Sequence, residues 1–174
     1  EENLEKIYKQ IEDGLNKEGL HYSGILFVGF MIENDMPKVL EFNVRFGDPD
    51  TEVLMPRLDV DLYELLNKTI DGKLERDDIK WKDETCLTLI MCSGGYPGSY
   101  EKGKLIEGLD KVDKDIIVFH NGTKKTDDLY TNGGRVLSIT ALGKNLDEAR
   151  KKAYDNVERI SFEGAYYRKD IGSK

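Results

Sequence analysis

Residues 39–50 read VLEFNVRFGDPD, and the fold class turns on how this stretch is read. As a strand it alternates. Leu40, Phe42, Val44 and Phe46 point to one side, and Glu41, Asn43 and Arg45 to the other. The apolar set is expected to seat the strand on a core. The other set is a carboxylate, an amide and a permanent cation in one row, which could hold a metal ion beside a phosphate. An exposed strand face is ordinarily polar, so plain solvation explains the same spacing. Gly47-Asp48-Pro49-Asp50 then stops the strand with a corner.

On the N-terminal side, residues 22–33, YSGILFVGFMIE, form an apolar run rich in β-formers. The run is long for a strand exposed on one face, so both its faces are expected to be covered. Asn34-Asp35-Met36-Pro37 is a turn, and the run and residues 38–46 are expected to pair as an antiparallel hairpin. Before it, Leu4, Ile7, Tyr8, Ile11 and Leu15 recur at helical spacing over residues 3–18, with Gly19 as a C-cap. After it, Val53, Leu54, Leu58, Leu62, Leu65, Leu66 and Ile70 suit one or two helices. Pro56 breaks or kinks the first, Asp59 or Asp61 caps the second, and Gly72 ends it. Residues 73–84, KLERDDIKWKDE, are charged, and a domain boundary is placed near residue 78. This divides the chain into residues 1–78 and 79–174.

The second half has short strands at 85–92 and 116–120. Asn132-Gly133-Gly134, between residues 129–131 and 135–142, signals a hairpin. A last helix is expected over about 146–160. The loop Ser93–Ser99 is rich in glycine. It is either a turn or a cradle whose N–H groups receive a phosphate, and Arg135 is a candidate to face that phosphate. His21 and His120 read as structural. The fold class is α+β.

Composition sets limits. The chain has 174 residues, 39% hydrophobic and 34% charged, with a net charge of −8. That balance argues for a globular protein and against a nucleic-acid partner. Cys86 and Cys92 lie in apolar runs without C-x-x-C spacing and read as buried free thiols. No run approaches the roughly 18 apolar residues of a membrane span. No signal peptide is evident, so a reducing, cytoplasmic setting is expected. The chain opens without Met and directly in a helical pattern, as part of a longer protein would.

The string KVLEFNVRFGDPDTEVLMPRLDVDL (38–62) resembles the ATP-grasp domain of the phosphoribosylamine–glycine ligase family. SGGYPGSYEKGK, FHNGT, TNGGRVLSITALG and FEGAYYRKDIG match that family's C-terminal segments, in order. The resemblance implies the C-terminal portion of an ATP-grasp domain followed by a small antiparallel-sheet domain. It implies Glu41 and Asn43 as ligands of Mg²⁺ or Mn²⁺, and Arg45 as the partner of the γ-phosphate. Asp48 is expected to organise the site, near glycine's ammonium. Many ATP-grasp enzymes carry another acidic ligand on the preceding strand, and ILFVGFMI offers none.

The implied activity is an ATP-dependent ligase of purine biosynthesis. Its substrates would be glycine, 5-phosphoribosylamine and ATP, joined through a glycyl phosphate. The family's N-terminal domain and ATP lid would lie upstream, so these residues alone are expected neither to bind ATP tightly nor to turn over. Two other readings carry the same fold: an inactive binding or scaffolding module, and an ATP-grasp ligase for another carboxylate and amine. The RFGDPD string argues against the latter.

Overall fold

The computed structural model describes residues 2–173. They fall into two compact units. The first comprises residues up to Thr51 together with Val60–Lys80. The second comprises Glu52–Asp59 together with Trp81 onward.

In the first unit, helix α1 (Glu2–Lys17) carries the apolar stripe read from its spacing. It closes as Gly19 takes a left-handed φ of +68°, with Gly19 N–H donating to the Asn16 carbonyl and Leu20 N–H to that of Leu15. Strands β1 (Phe27–Glu33) and β2 (Met36–Asn43) pair antiparallel. The turn is tighter than the sequence suggested. Asn34 and Asp35 both have positive φ, 50° and 60°, and Glu33 already pairs with Met36. Residues 22–26, expected in the strand, lie outside it. Helix α3 (Leu62–Ile70) completes the unit, with Asp61 as its N-cap accepting from Tyr63 N–H at 2.7 Å.

Two expectations fail here. Residues 22–33 are not covered on both faces, since Met31 and Ile32 are 55% and 64% exposed. The apolar set of the second strand is not seated on a core, since Leu40, Phe42 and Val44 are 62%, 55% and 71% exposed. A two-stranded ribbon with one helix against it has too little surface to bury both sides. α1 takes one face, where Tyr8 meets the Phe30 ring edge-on at 6.1 Å. Between them runs an apolar groove of about 670 Å³ lined by Ile7, Ile11, Leu15, Leu26, Val39 and Phe42.

The second unit holds the large core. β3 (Thr85–Cys92), β4 (Ile117–His120) and β7 (Arg135–Gly143) form an antiparallel sheet in the order β3-β7-β4. The central strand β7 is buried almost throughout because it has neighbours on both edges. Helix α4 (Leu146–Val157) packs Ala149, Ala153 and Val157 into the same core as Leu89, Met91, Val136 and Ile139. Each buried valine, leucine, isoleucine or methionine side chain there contributes about 1.5–3 kcal/mol. Asn145 caps α4 by accepting from Glu148 N–H at 2.9 Å.

The glycine pair at 133–134 does not make the expected hairpin. β6 (Leu129–Thr131) pairs with β5 (Thr123–Lys125), not with β7. The other side of β6 is occupied by the segment at Gly103–Ile106, which bonds Thr131 and Leu129. Asn132-Gly133-Gly134 is therefore a crossover between two ladders. Helix α2 (Thr51–Arg57) keeps Pro56 within its last turn, buried, and stops one residue later.

Candidate metal and phosphate site

The site begins with strand register. Phe30 faces Val39, but Gly29 faces Glu41, so Leu40 is an extra residue, a β-bulge. The bulge changes which side chains share a face. Val39 and Phe42 now lie on one side with Phe30, and these apolar residues turn toward α1. Glu41 and Asn43, opposite Gly29 and Phe27, lie on the other side. The simple alternation read through residues 39–46 is thus broken at Leu40, and Val39 escapes the polar face.

The polar row is also shorter than the sequence suggested. The strand ends at Asn43, and Val44 and Arg45 form a bend. Arg45 leaves the ladder, and its Nη1 donates to the Phe46 carbonyl at 2.7 Å. Glu41 and Asn43 are brought together by the strand. Arg45 follows from the bend, and Asp48 is exposed on the corner. The Asp48–Pro49 peptide is cis. The corner is drawn tight by Gly47, whose carbonyl accepts from Thr51 N–H at 3.0 Å and Thr51 Oγ1 at 2.5 Å. Asp50 folds over Gly47, where an added Cβ would lie 2.2 Å from Asp50 Oδ2.

The donor set fits a hard divalent cation. Mg²⁺ takes oxygen ligands, often only one or two from protein and the rest from water and phosphates. Among the described residues, no group of three or more His, Cys, Asp or Glu is placed to hold a metal. A carboxylate plus an amide oxygen is therefore what this strand offers. Gly29 leaves a cradle beside it, since an added Cβ would stand 3.0 Å from Glu41 Cγ and 3.6 Å from Oε1. Sequence reading passed over Gly29. Its signal was a glycine inside an apolar strand, which marks a bulge or a close approach.

In the second unit, the Ser93–Ser99 loop is locked by its own packing. Ser93 N–H and Oγ donate to the carbonyls of Gly134 and Gly133, each at 2.8 Å. Tyr96 N–H returns to Ser93 O, and the Tyr96 ring covers Gly134. These bonds take up the Ser93 and Tyr96 N–H groups and hold the loop as a turn against Gly133 and Gly134. Arg135 opens β7 beside Cys92. His120 Nδ1 and Thr123 Oγ1 are 3.1 Å apart. Both cysteines are free and half-buried. Burial pushes the Cys86 thiol up to about 11 and raises that of Cys92, so both stay protonated at neutral pH and are poor nucleophiles. A further cluster had no sequence signal: Glu52 Oε1 receives Asn121 Nδ2 at 3.2 Å and Ser138 Oγ at 3.4 Å. Ser138 Oγ also reaches Asn121 Oδ1 at 2.9 Å, and Glu52 Oε2 is buried without a hydrogen bond.

Family comparison agrees with this layout. Residues 86–174 match the model of the phosphoribosylglycinamide synthetase C domain, and residues 1–51 match the ATP-grasp (A) domain of the same synthetase. The chain belongs to the phosphoribosylglycinamide synthetase family. It is 48% identical over 170 residues to a phosphoribosylamine–glycine ligase of Caldanaerobacter subterraneus, covering 97% of this chain and 40% of the relative. It is 46% identical to the trifunctional purine biosynthetic protein adenosine-3 of Gallus gallus, covering 97% and 17%. The chain thus spans about two fifths of the single-function relative's length. The crystal structure of phosphoribosylamine–glycine ligase from Thermotoga maritima superposes with a TM-score of 0.83 at 34% identity, over 98% of this chain and 42% of that one. A biotin carboxylase domain of a 2-oxoglutarate carboxylase shares the fold alone, with a TM-score of 0.67 at 13% identity, over 98% and 41%. The fold is α+β, an ATP-grasp portion followed by a small antiparallel-sheet C-terminal domain. Among the described residues, no helix is long and apolar enough to cross a membrane.

Proposed function

We propose that this chain forms part of an ATP-dependent ligase that joins glycine to 5-phosphoribosylamine in purine biosynthesis, in the cytoplasm. The carrying observation is the Glu41–Asn43 pair on one strand face beside the space over Gly29. Family membership and the relatives' printed activity support the substrate assignment. In this reading the division near residue 78 separates the ATP-grasp portion from the C-terminal domain.

Glu41 and Asn43 would hold Mg²⁺ or Mn²⁺, which when bound offsets charge on the β- and γ-phosphates of ATP. Glycine's carboxylate is a poor electrophile. Its oxygen attacks the γ-phosphorus, ADP leaves, and a glycyl phosphate results. The amine of phosphoribosylamine then attacks the acyl carbon and loses a proton as phosphate departs. Phosphoryl transfer of this kind needs positioning and charge stabilisation more than covalent help. Arg45 supplies a fixed cation one bend beyond the pair, suited to the transferring phosphoryl oxygens. Asp48 supplies a carboxylate at the adjoining corner, suited to glycine's ammonium. The remaining residues of the site come from the longer polypeptide.

The test is ADP release that depends on both glycine and phosphoribosylamine, using the longer protein that carries this chain. Glu41→Gln is expected to cut turnover by about a hundredfold and raise the Mg²⁺ needed for half-maximal rate. An unchanged Mg²⁺ titration removes Glu41 from the metal site. The 174-residue chain by itself is expected to release no ADP.

A further inference from the structure

We infer that Gly29 is a positioning residue for the metal site, present for the volume it leaves and not for its backbone freedom. The inference rests on the reading of Glu41 and Asn43 as metal ligands. Glycine in a strand normally needs a reason, because it costs entropy and packs nothing. One common reason is a positive φ. Gly29 is not among the glycines with positive φ, so its backbone is one that any residue adopts. A bulge begins beside it, but the extra residue of that bulge is Leu40, on the other strand. What remains is space. Gly29 is the direct cross-strand partner of Glu41, and the Glu41 side chain lies over it.

The consequence of filling that space is specific. A Cβ at position 29 would stand 3.0 Å from Glu41 Cγ, with the Phe27 ring on its other side at 3.7 Å. The backbone need not move, because the crowded atom belongs to an exposed, rotatable side chain. Glu41 has no hydrogen bond or ion pair among the described residues to hold it in place, so its Cγ gives way by a few tenths of an ångström and the carboxylate beyond it is carried along. The carboxylate is displaced relative to Asn43, and the added methyl group takes up part of the space beside the pair. Alanine also suits a strand better than glycine does. Gly29→Ala therefore separates the two properties: the fold is kept, and the ligand is misplaced.

The experiment is Mn²⁺ titration of the longer protein that carries this chain, followed by NMR with selective ¹⁵N labelling of asparagine, phenylalanine, valine and glycine. The readout is paramagnetic broadening of the Asn43 side-chain amide and of the Phe27–Gly29 backbone amides. Four proteins are compared: wild type, Gly29→Ala, Glu41→Gln, and Gly14→Ala. Gly14 lies on α1 with nothing near an added Cβ, so its variant controls for a lost glycine. Wild type and Gly14→Ala should broaden alike. Gly29→Ala should need about tenfold more Mn²⁺, in the range set by residues that orient a ligand. Its thermal midpoint should be equal or higher. Were that midpoint lower, the titration is read well below it, where circular dichroism shows both proteins folded. Equal broadening of Gly29→Ala and wild type at equal Mn²⁺ overturns the inference. Site-specific broadening that persists in Glu41→Gln overturns instead the metal reading on which it rests.

Discussion

Glu41 and Asn43 owe their placement to main-chain geometry, since neither side chain is tied to a neighbour among the described residues. Asp113 is the opposite case. It is held from several sides: Arg159 Nη1 donates to its Oδ1 at 2.6 Å, and Asn156 Nδ2 to its Oδ2 at 3.1 Å. The Arg159 hydrogen bond first, and that of Asn156 second, hold the Asp113 carboxyl below the usual carboxylate range. The folded state therefore binds this proton less tightly than the unfolded chain does. The resulting stability is complete above the ordinary carboxylate value and disappears as pH falls through the folded one. Asp113→Asn is expected to flatten the acid limb of stability against pH, measured by urea unfolding over a pH series. A limb as steep as wild type would assign acid sensitivity to other carboxylates. Residues of this kind were not legible beforehand. Asp113 and Asn156 are far apart in sequence, and nothing in their local pattern announces the pairing. Glu41 and Asn43 were legible because i, i+2 spacing on a strand is a local property. Gly29 was visible as a glycine, but its purpose required knowing what stood opposite.

Among the elements, β7 illustrates what propensity can and cannot supply. Its apolar run marked it as a strand, yet its partners were misassigned. The Asn-Gly-Gly signal describes local turn chemistry, and the ladder partner is chosen by tertiary competition. β3 and β4 take both edges of β7, leaving β6 to pair with β5. As the middle strand, β7 carries the core, with Ile139 fully buried among Leu89, Val118 and the α4 alanines. Ile139→Ala is expected to cost about 3–4 kcal/mol in chemical unfolding, because a central strand held on both sides cannot collapse into the gap. A loss below about 1 kcal/mol would mean the sheet relaxes more freely than its pairing suggests. The helices were easier to read. α1, α3 and α4 each carry a stripe at the expected spacing, and the caps at Gly19 and at Asp61, one of the two aspartates offered, follow from turn chemistry that acts over a few residues; the Asn145 cap of α4 emerges only from the structure.

At the scale of the whole molecule, burial is unevenly shared. The hydrophobic core cluster lies entirely in the second unit, whereas Leu65 is the buried hydrophobic residue of the first among those described. Local opening costs least where few apolar contacts must be broken. Amide hydrogen exchange is therefore expected to proceed faster in β1 and β2 than in β3 and β7, by orders of magnitude at the strand centres. Comparable protection in the two ladders would contradict this. The uneven burial also explains why the hairpin's cover was misjudged: hydrophobic residues reveal a preference for being covered, not the area at hand to cover them. The bulge at Leu40 has a consequence for how this segment tolerates insertions and deletions. Losing one residue between the turn and Glu41 can be absorbed where Leu40 stands, whereas adding one to the regular part of the ladder inverts the parity of the strand and exchanges the carboxylate with an aromatic ring. Loss of Leu40 itself would only straighten the ladder, leaving Glu41 across from Gly29. Length variation among natural homologues should therefore concentrate at this one position, or come in steps of two.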